Sequence, residues 1–293
     1  MSRRAAWLAG VAVLFLSVAV ALIAGYRTYR RVDRDMHAPR RAIARPAELA
    51  SRLEDVTLMA PSGPVAAWYM PPRNGAVVVY VHGSTGDRLD FVPDLVGLEL
   101  AGYGAVVPDL PGHGASGGST RWGRDAQHVV AAAVDFASQR ADHIAILGFS
   151  MGSSVAAHVA AGDARIGAIV LTGAFSDIRS QLRYEFRRWG PITQWPALWA
   201  AERDGLAIED LDTTQVVGLL APRPLLLVGG SLDATVPPDM VQALYAAARE
   251  PKQIEIVPGA THGAYGRVGG APYYDRLRRF LDDALGRSGL FAP

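Results

Sequence analysis

Three residues in the second half of the chain have the types that nucleophilic catalysis needs: Ser150, Asp233 and His262. A serine hydroxyl is a weak nucleophile until an imidazole accepts its proton and a carboxylate fixes the tautomer of that imidazole. Each of the three residues comes shortly after an apolar, strand-like run. Because functional groups of an open α/β sheet gather at the carboxyl ends of its strands, the sequence predicts that these side chains meet there.

The segment around Ser150 gives the strongest local signal. Residues 148–152, Gly-Phe-Ser-Met-Gly, fit the G-x-S-x-G pattern of a nucleophile elbow, in which the serine lies on a sharp turn between a strand and a helix. Glycines are needed there because a side chain would crowd the tight turn. A second match at 114–118 has no apolar strand before it and no amphipathic helix after it, so we interpret Ser116 as a loop residue.

Other acids and histidines could compete for these roles. Asp210 and Asp212 are alternatives to Asp233 as the acid, although they precede the penultimate strand instead of following it. His82 and His113 follow strand-like runs, and we expect them to brace loops by hydrogen bonding. No histidine pair has the H-E-x-x-H spacing or a comparable one, so we expect neither a metal nor another cofactor.

The elements that must position these residues are short apolar runs that alternate with helical patterns. Such alternation is typical of an α/β fold with a mostly parallel central sheet and helices on both faces. The first two runs are joined by a short turn rich in Pro and Gly, which predicts an antiparallel pair. The predicted strands are 56–59, 65–70, 76–81, 104–107, 143–149, 166–171, 224–228 and 253–257, and the predicted helices are 90–101, 124–139, 238–249 and 273–285, with one more directly after Ser150.

The run from Phe175 to Leu220 interrupts this alternation, because it is rich in aromatic and arginine residues and has no strand signal. We interpret it as a helical cap inserted over the C-terminal edge of the sheet. An apolar lid of this kind would shelter an acyl chain or an aromatic group, and the alternative is an ordinary pair of packed helices. The candidate substrate-binding residues of the cap are Phe175, Tyr184, Trp189, Trp195 and Trp199.

As a set, these motifs resemble those of the α/β-hydrolase-fold serine hydrolases, which include esterases, lipases and thioesterases. The resemblance covers about Leu53 to Leu285. It implies the α/β-hydrolase fold, with Ser150 as nucleophile, Asp233 as orienting acid and His262 as general base. It also implies an oxyanion hole formed by the backbone N–H groups of Ser84 and Met151. The matching motifs are His-Gly at 82–83, Asp-Leu-Pro-Gly-His-Gly-Ala-Ser at 109–116, the elbow at 148–152, Gly-Ser-Leu-Asp at 230–233 with Val236 and Pro237, and Gly-Ala-Thr-His at 259–262.

The resemblance implies hydrolysis of a carboxylic ester or thioester of a small molecule through an acyl-enzyme. The apolar N-terminal run and the aromatic cap suggest a lipid-like ester as the substrate. Serine at the elbow argues against dehalogenases and epoxide hydrolases of this fold, whose nucleophile is a carboxylate. An acyltransferase or a peptidase on the same three residues is an open alternative, because only the acceptor or the leaving group changes. A membrane-tethered binding module without activity is the alternative from another class.

The N-terminus carries the strongest signal outside the site. Residues 5–26 are 22 consecutive uncharged, mostly apolar residues, and a helix of that length spans about 33 Å, enough for a hydrocarbon core of about 30 Å. We therefore expect a transmembrane signal anchor that reaches a lipid bilayer. A buried core helix is one alternative. A cleaved signal peptide is the other, because residues 19–21, Ala-Val-Ala, offer a cleavage site after a basic start.

Domain organisation follows from these signals: a basic tail at 1–4, the membrane helix at 5–26, a basic linker at 27–50, and one α/β domain at 51–288 with the cap at about 175–220. We expect a single-pass protein of a bacterial inner membrane. The side of the catalytic domain stays open, because arginines flank the helix at both ends. A net charge of +1 gives no reason to expect a nucleic acid partner, and the absence of cysteine excludes disulfides. The oligomeric state stays open too.

Overall fold

An eight-stranded sheet forms the centre of the molecule, in a computed structural model that describes residues 2–37, 40–118, 123–203, 205–206 and 208–286. The strand order is β1-β2-β4-β3-β5-β6-β7-β8. β1 and β2 pair antiparallel, β2 pairs antiparallel with β4, and the remaining neighbours are parallel. The strands are β1 (Glu54–Ala60), β2 (Gly63–Met70), β3 (Ala76–Val81), β4 (Gly104–Pro108), β5 (His143–Phe149), β6 (Ile166–Thr172), β7 (Leu225–Gly230) and β8 (Lys252–Val257).

Strand β3 shows why this sheet is covered on both faces. All six of its residues are buried, and alternate residues enter two different core clusters. Val77 and Val79 pack in one cluster, whereas Val78 and Tyr80 pack in the other. A continuous apolar strand of this kind is expected in a parallel sheet with helices on each face. The predicted mostly parallel sheet with helices on both faces is therefore confirmed.

Helices connect the strands and cover the sheet. Helix α4 follows β5 directly after Ser150, and its residues from Met151 to Ala157 are buried. The last helix, α9, begins eight residues earlier than the predicted start at Tyr273 and is kinked at Gly270. The helices are α1 (Arg3–Asp35), α2 (Val92–Glu99), α3 (Arg124–Ser138), α4 (Met151–Gly162), α5 (Ile178–Glu185), α6 (Pro191–Arg203), α7 (Thr213–Val217), α8 (Pro238–Ala247) and α9 (Tyr265–Ala284).

Helix α1 continues to Asp35, so the first part of the predicted linker at 27–50 is helical instead. Thr28, Val32 and Met36 are buried, and their spacing of four residues places them on one face of the helix. Val32 and Met36 belong to a core cluster of the domain. The helix that begins as an apolar run therefore ends as an amphipathic segment packed on the domain, and burial of these side chains explains why it does not stop at Tyr26.

The segment between β6 and β7 is helical, as the sequence predicts, and contains α5, α6 and α7. Helix α6 packs against α1, and the two approach closely at Gly25, where an added Cβ would lie 3.1 Å from the carbonyl oxygen of Ile192. The rings of Tyr29 and Trp199 stack beside this crossing, with centroids 5.1 Å apart. We call the segment from Phe175 to Leu220 the cap below.

Candidate active site

Ser150 lies on a strained turn between β5 and α4. Its φ of 54° is in the left-handed region, and it is the one residue other than glycine with positive φ in the part of the chain that the structure describes. Such a backbone conformation costs about 1–3 kcal/mol and persists only where the surroundings enforce it. The Ser150 N–H donates to the carbonyl oxygen of Thr172 on the neighbouring strand at 2.9 Å, which fixes the turn.

The two glycines of the elbow are required by close backbone contacts. A Cβ on Gly148 would lie 2.5 Å from the carbonyl oxygen of Gly152 and 2.6 Å from the Cα of Ser153. A Cβ on Gly152 would lie 2.5 Å from the carbonyl oxygen of His82. These obstacles are backbone atoms that a rotamer change cannot move. The steric reason for the G-x-S-x-G pattern is therefore present at this turn.

The structure brings Ser150, His262 and Asp233 together in one hydrogen-bonded chain. The Ser150 Oγ lies 3.0 Å from His262 Nε2, and His262 Nδ1 lies 2.8 Å from Asp233 Oδ2. Ser150 follows β5, Asp233 follows β7, and His262 follows β8, so all three lie at the carboxyl ends of parallel strands. This arrangement can pass a proton from the serine hydroxyl to an imidazole whose orientation a carboxylate holds.

Asp233 is held by both of its carboxylate oxygens. Oδ1 accepts hydrogen bonds from the backbone N–H groups of Thr235 at 2.9 Å and Val236 at 2.8 Å. Oδ2 faces His262 and also accepts a hydrogen bond from the Tyr265 hydroxyl at 2.7 Å. Burial raises the pKa of Asp233, but the hydrogen bond and charge of His262 and the hydrogen bond of Tyr265 lower it by more. The carboxyl group is therefore ionised at neutral pH.

Tyr265 and Phe149 complete the surroundings of His262. Burial and the adjacent Asp233 carboxylate raise the pKa of Tyr265 well above its usual value. The hydroxyl therefore stays protonated and donates a hydrogen bond to Asp233. The Phe149 ring packs on the imidazole with centroids 4.8 Å apart. Tyr265 is not among the predicted site residues, because the helical pattern of the sequence begins only at Tyr273. The sequence signal that could have indicated its place in the site is its position, three residues after His262.

The loop after β3 lies opposite the elbow. Ser84 and Met151, the two predicted oxyanion-hole positions, both line the cavity at Ser150. His113 Nε2 lies 2.7 Å from the carbonyl oxygen of Ser84, and His82 Nε2 accepts a hydrogen bond from the Leu110 N–H at 2.9 Å. Burial, with a smaller contribution from His113, lowers the pKa of His82 to about 3, so this ring is neutral. Both histidines contact the loops that carry the cavity wall.

The cavity above Ser150 has a volume of about 230 Å³ and mixes apolar and charged walls. Burial raises the pKa of Asp35 and of Glu185, and burial together with the neighbouring Asp87 raises the pKa of Asp90 to about 6. No local sequence pattern marks Asp35, Asp90 and Glu185 as neighbours, because they come from three separate elements. The charged residues that line the cavity, besides His262, are Arg31, Asp35, Asp90 and Glu185.

Of the five aromatic residues predicted to bind substrate, Phe175 lines the cavity and the other four do not. Trp195 and Trp199 have exposed fractions of 70% and 61% and line a groove between α6 and α1. Trp189 lines a second groove beside α1, and the Tyr184 ring stacks under the Arg187 guanidinium. Tyr184, Trp189, Trp195 and Trp199 therefore lie away from the cavity at Ser150, because α6 buries Ala197, Leu198 and Ala201 and turns Trp195 and Trp199 towards α1.

The competing residues have other contacts. Asp212 caps α7, where its Oδ1 accepts a hydrogen bond from the Thr214 N–H at 3.1 Å. The carbonyl oxygen of Asp210 accepts a hydrogen bond from the Gln127 side chain. The Ser116 hydroxyl is buried, donates to the carbonyl oxygen of Asp109 at 2.8 Å, and accepts from a backbone N–H of β2. The structure thus places none of the three in the hydrogen-bonded chain of Ser150.

The fold and this site define a class of protein. Residues 78–276 match the model of the alpha/beta hydrolase family, and the chain belongs to that family. The match includes the elbow and the loops that carry Asp233 and His262, and it supports a hydrolase.

Several known proteins are similar to the chain. The uncharacterized protein Rv2307c of Mycobacterium tuberculosis is 26% identical over 230 residues, which are 75% of each chain. The uncharacterized protein YfhR of Salmonella typhi is 27% identical over 259 residues, 79% of this chain and 82% of that protein. Among solved structures, the esterase Pf2001 of Pyrococcus furiosus has a TM-score of 0.71 at 22% identity, over 86% of this chain and 99% of its own. A thermophilic esterase of Thermogutta terrifontis has a TM-score of 0.61 at 20% identity, and the alignment covers 79% of this chain and 99% of the esterase chain.

Proposed function

We propose that this chain is a serine hydrolase that cleaves a carboxylic ester or thioester through an acyl-enzyme on Ser150. The observation that carries the proposal is the hydrogen-bonded chain from Ser150 through His262 to Asp233, which opens onto a cavity. Family membership and the esterases among similar structures support the same conclusion.

The reaction follows from this geometry. Ser150 Oγ attacks the substrate carbonyl carbon while its proton passes to His262 Nε2, and a tetrahedral oxyanion forms. When the oxyanion collapses, the bond to the leaving alcohol or thiol breaks, and the imidazolium gives that group its proton. Water then attacks the carbonyl carbon of the acyl-enzyme and gives a proton to His262 Nε2. When this second oxyanion collapses, the bond to Ser150 Oγ breaks, the carboxylic acid leaves, and the imidazolium returns the proton to Ser150 Oγ. Asp233 stays ionised and stabilises the imidazolium.

The backbone N–H groups of Ser84 and Met151 would stabilise the oxyanion. Met151 begins α4, and the first N–H groups of a helix have no partner within the helix and carry the positive end of its dipole. Removing one donor from an oxyanion hole costs about 3 kcal/mol in transition-state stabilisation. Ser84, Ser150 and Met151 line the same cavity, which supports this assignment.

Helix α1 would hold the enzyme in a membrane as a single-pass anchor through residues 5–26. One stretch of 18 residues in α1 has a mean hydropathy of 2.6, and none of it is buried. Further along the same helix, Gly25, Thr28 and Val32 are buried against the domain, which favours a helix that is retained over a cleaved signal peptide. The anchor would keep the cap next to the bilayer surface.

The proposal is tested on the full-length protein in detergent or nanodiscs with a fluorophosphonate probe and p-nitrophenyl butyrate. Ser150→Ala should abolish both labelling and turnover, while far-UV circular dichroism stays unchanged. Ser116→Ala is the matched control, because Ser116 lies in the other G-x-S-x-G match and should still allow labelling. Undiminished labelling or turnover in Ser150→Ala would refute the proposal.

A further inference from the structure

A second cavity lies next to the catalytic one, between α1 and the cap. It has a volume of about 480 Å³, and we call it the α1 groove. Its lining is mainly apolar towards the N-terminal end of α1 and charged towards the other end. The α1 groove is lined by Val20, Ile23, Ala24, Arg27, Thr28 and Arg31 of α1 and by Glu185, Phe186, Arg188, Trp189 and Thr193 of the cap.

Three residues line both the α1 groove and the catalytic cavity: Arg31, Glu185 and Phe186. The Arg31 guanidinium forms a hydrogen-bonded ion pair with the Glu185 carboxylate at 2.5 Å and lies 5.3 Å from the centroid of the Phe186 ring. This cluster is the wall between the two cavities. The Arg31 side chain is 52% exposed and has several rotatable bonds, so the wall can open by a rotamer change without moving the backbone.

The other end of the α1 groove reaches the apolar run of α1. Val20, Ile23 and Ala24 lie within residues 5–26, and Arg27 is the first charged residue after that run. Val20 and Arg31 are 11 residues apart, so the groove extends about 16 Å along the helix axis. It therefore runs from the depth of the apolar segment to within one side chain of the cavity that holds Ser150.

The cap surface around the groove has the composition of a membrane interface. Trp189, Trp195 and Trp199 are exposed on the cap beside α1, and arginines such as Arg188 and Arg203 lie among them. Tryptophan favours the headgroup level of a bilayer, and arginine pairs with anionic headgroups there. This cap surface lies next to the apolar run of α1, so the opening of the α1 groove and the bilayer lie on the same side of the domain.

We propose that the substrate is an amphiphilic ester or thioester that reaches Ser150 from the bilayer, with its acyl chain in the α1 groove. This inference rests on the proposed serine hydrolase function. The carbonyl group lies at the Ser150 hydroxyl, the chain passes the Arg31–Glu185 pair over the Phe186 ring, and its distal end contacts Ile23 and Val20. The membrane helix is thus part of the substrate site.

The test blocks the α1 groove and measures chain-length selectivity. The ratio of kcat/KM for p-nitrophenyl laurate to that for p-nitrophenyl butyrate is determined with the full-length protein in lipid nanodiscs. Ala24→Phe places a ring in the groove and should lower the ratio at least tenfold. Ala12→Phe is the matched control, because Ala12 lies in the same apolar run, eight residues before Val20, and should leave the ratio unchanged.

A second blocking variant guards against misfolding. Ile23→Trp fills the groove from a side chain that is 56% exposed, so it disturbs the packing of α1 less. Fluorophosphonate labelling of Ser150 reports that each variant is folded. A reduced ratio in either labelled blocking variant, with Ala12→Phe like wild type, supports the inference.

Two results would overturn it. One is an unchanged ratio in both blocking variants, and the other is an equal reduction in Ala12→Phe. These outcomes differ from failure of the proposed function, which would appear as butyrate turnover that survives in Ser150→Ala.

Discussion

The hydroxyl of Tyr265 donates a hydrogen bond of 2.7 Å to Asp233 Oδ2, the same oxygen that faces His262 Nδ1 at 2.8 Å. Asp233 therefore shares one oxygen between the imidazole and a phenol that is itself buried. Hydrogen bonds to a carboxylate favour its ionised form. We infer that Tyr265 is a positioning residue, which holds the Asp233 carboxylate in the orientation that His262 requires.

Tyr265→Phe should lower kcat/KM about tenfold and destabilise the fold by about 2 kcal/mol at neutral pH, the usual size of a hydrogen bond to a charged group. The pKa of Asp233 is below the 3.8 of a free aspartate in the folded state, so its stabilising contribution is present above that pH. The contribution is lost as pH falls through the folded-state pKa. The difference in unfolding free energy between wild type and Tyr265→Phe should therefore be constant above about pH 5 and shrink below pH 4.

Urea unfolding at several pH values measures this difference. Tyr184→Phe is the matched control, because that tyrosine lies on the cap outside the cavity. A pH-independent difference would show that Tyr265 acts through packing instead of through Asp233.

The elbow glycines give a second prediction. Gly152→Ala should abolish fluorophosphonate labelling, because the added methyl group would meet the carbonyl oxygens of Val81 and His82 and push α4 away from β3. Overpacking of this kind costs about 1–3 kcal/mol. Gly162→Ala, at the other end of α4, meets no atom within 4 Å and should label normally. Normal labelling of Gly152→Ala would contradict the steric account of the pattern.

The crossing of α1 and α6 gives a third prediction. Gly25→Leu should lower the melting temperature by several degrees, since a Cβ there lies 3.1 Å from the Ile192 carbonyl oxygen and 3.4 Å from the Pro196 ring. Gly10→Leu adds the same side chain to the same helix where nothing lies within 4 Å, and it should leave the melting temperature unchanged. Tryptophan fluorescence in detergent follows both transitions. Equal effects of the two substitutions would mean that α1 does not pack on the cap.

The acids of the catalytic cavity give a prediction for pH dependence. Burial and Asp87 raise the pKa of Asp90 to about 6, so this wall gains a negative charge as pH rises through that value. Selectivity for a choline ester over its uncharged 3,3-dimethylbutyl isostere should therefore increase about fivefold between pH 5 and pH 7, equivalent to about 1 kcal/mol.

A ratio of two substrates cancels every pH effect on the chemical step, because both substrates undergo the same reaction. Asp90→Asn should flatten the rise in selectivity, with the remaining contributions coming from Asp35 and Glu185, whose pKa values burial also raises. A rise of the same size in Asp90→Asn would assign the effect to another group.

Much of this architecture could be predicted from the chain because strand ends are local signals. Ser150, Asp233 and His262 each follow an apolar run, and a parallel sheet brings such positions to one edge whatever the details of packing. The predicted strands agree closely with β1 to β8 for the same reason: β-branched runs bounded by Gly and Pro have few other interpretations.

The errors concern positions that depend on distant partners. The charges between Arg27 and Arg34 suggest a linker, whereas α1 continues to Asp35 with Thr28 and Val32 buried, and Val32 belongs to a core cluster that includes residues of the sheet and the cap. The tryptophans of α6 have helical spacing, but spacing alone does not say which side faces the site. Their orientation depends on α1, which lies about 170 residues earlier in the chain.

In the proposed membrane anchor, the unbroken course of α1 from Arg3 to Asp35 would fix the orientation of the whole domain relative to the bilayer. A flexible tether would let the domain rotate freely. A rigid helix instead rotates the attached domain by about 100° and moves it by about 1.5 Å along the helix axis for every residue inserted. A single residue inserted near Tyr26 would therefore rotate the cavity at Ser150 about the helix axis, so that it faces a different side of the anchor. The number of helical residues between the apolar run and Asp35 therefore determines how the domain is oriented about the anchor.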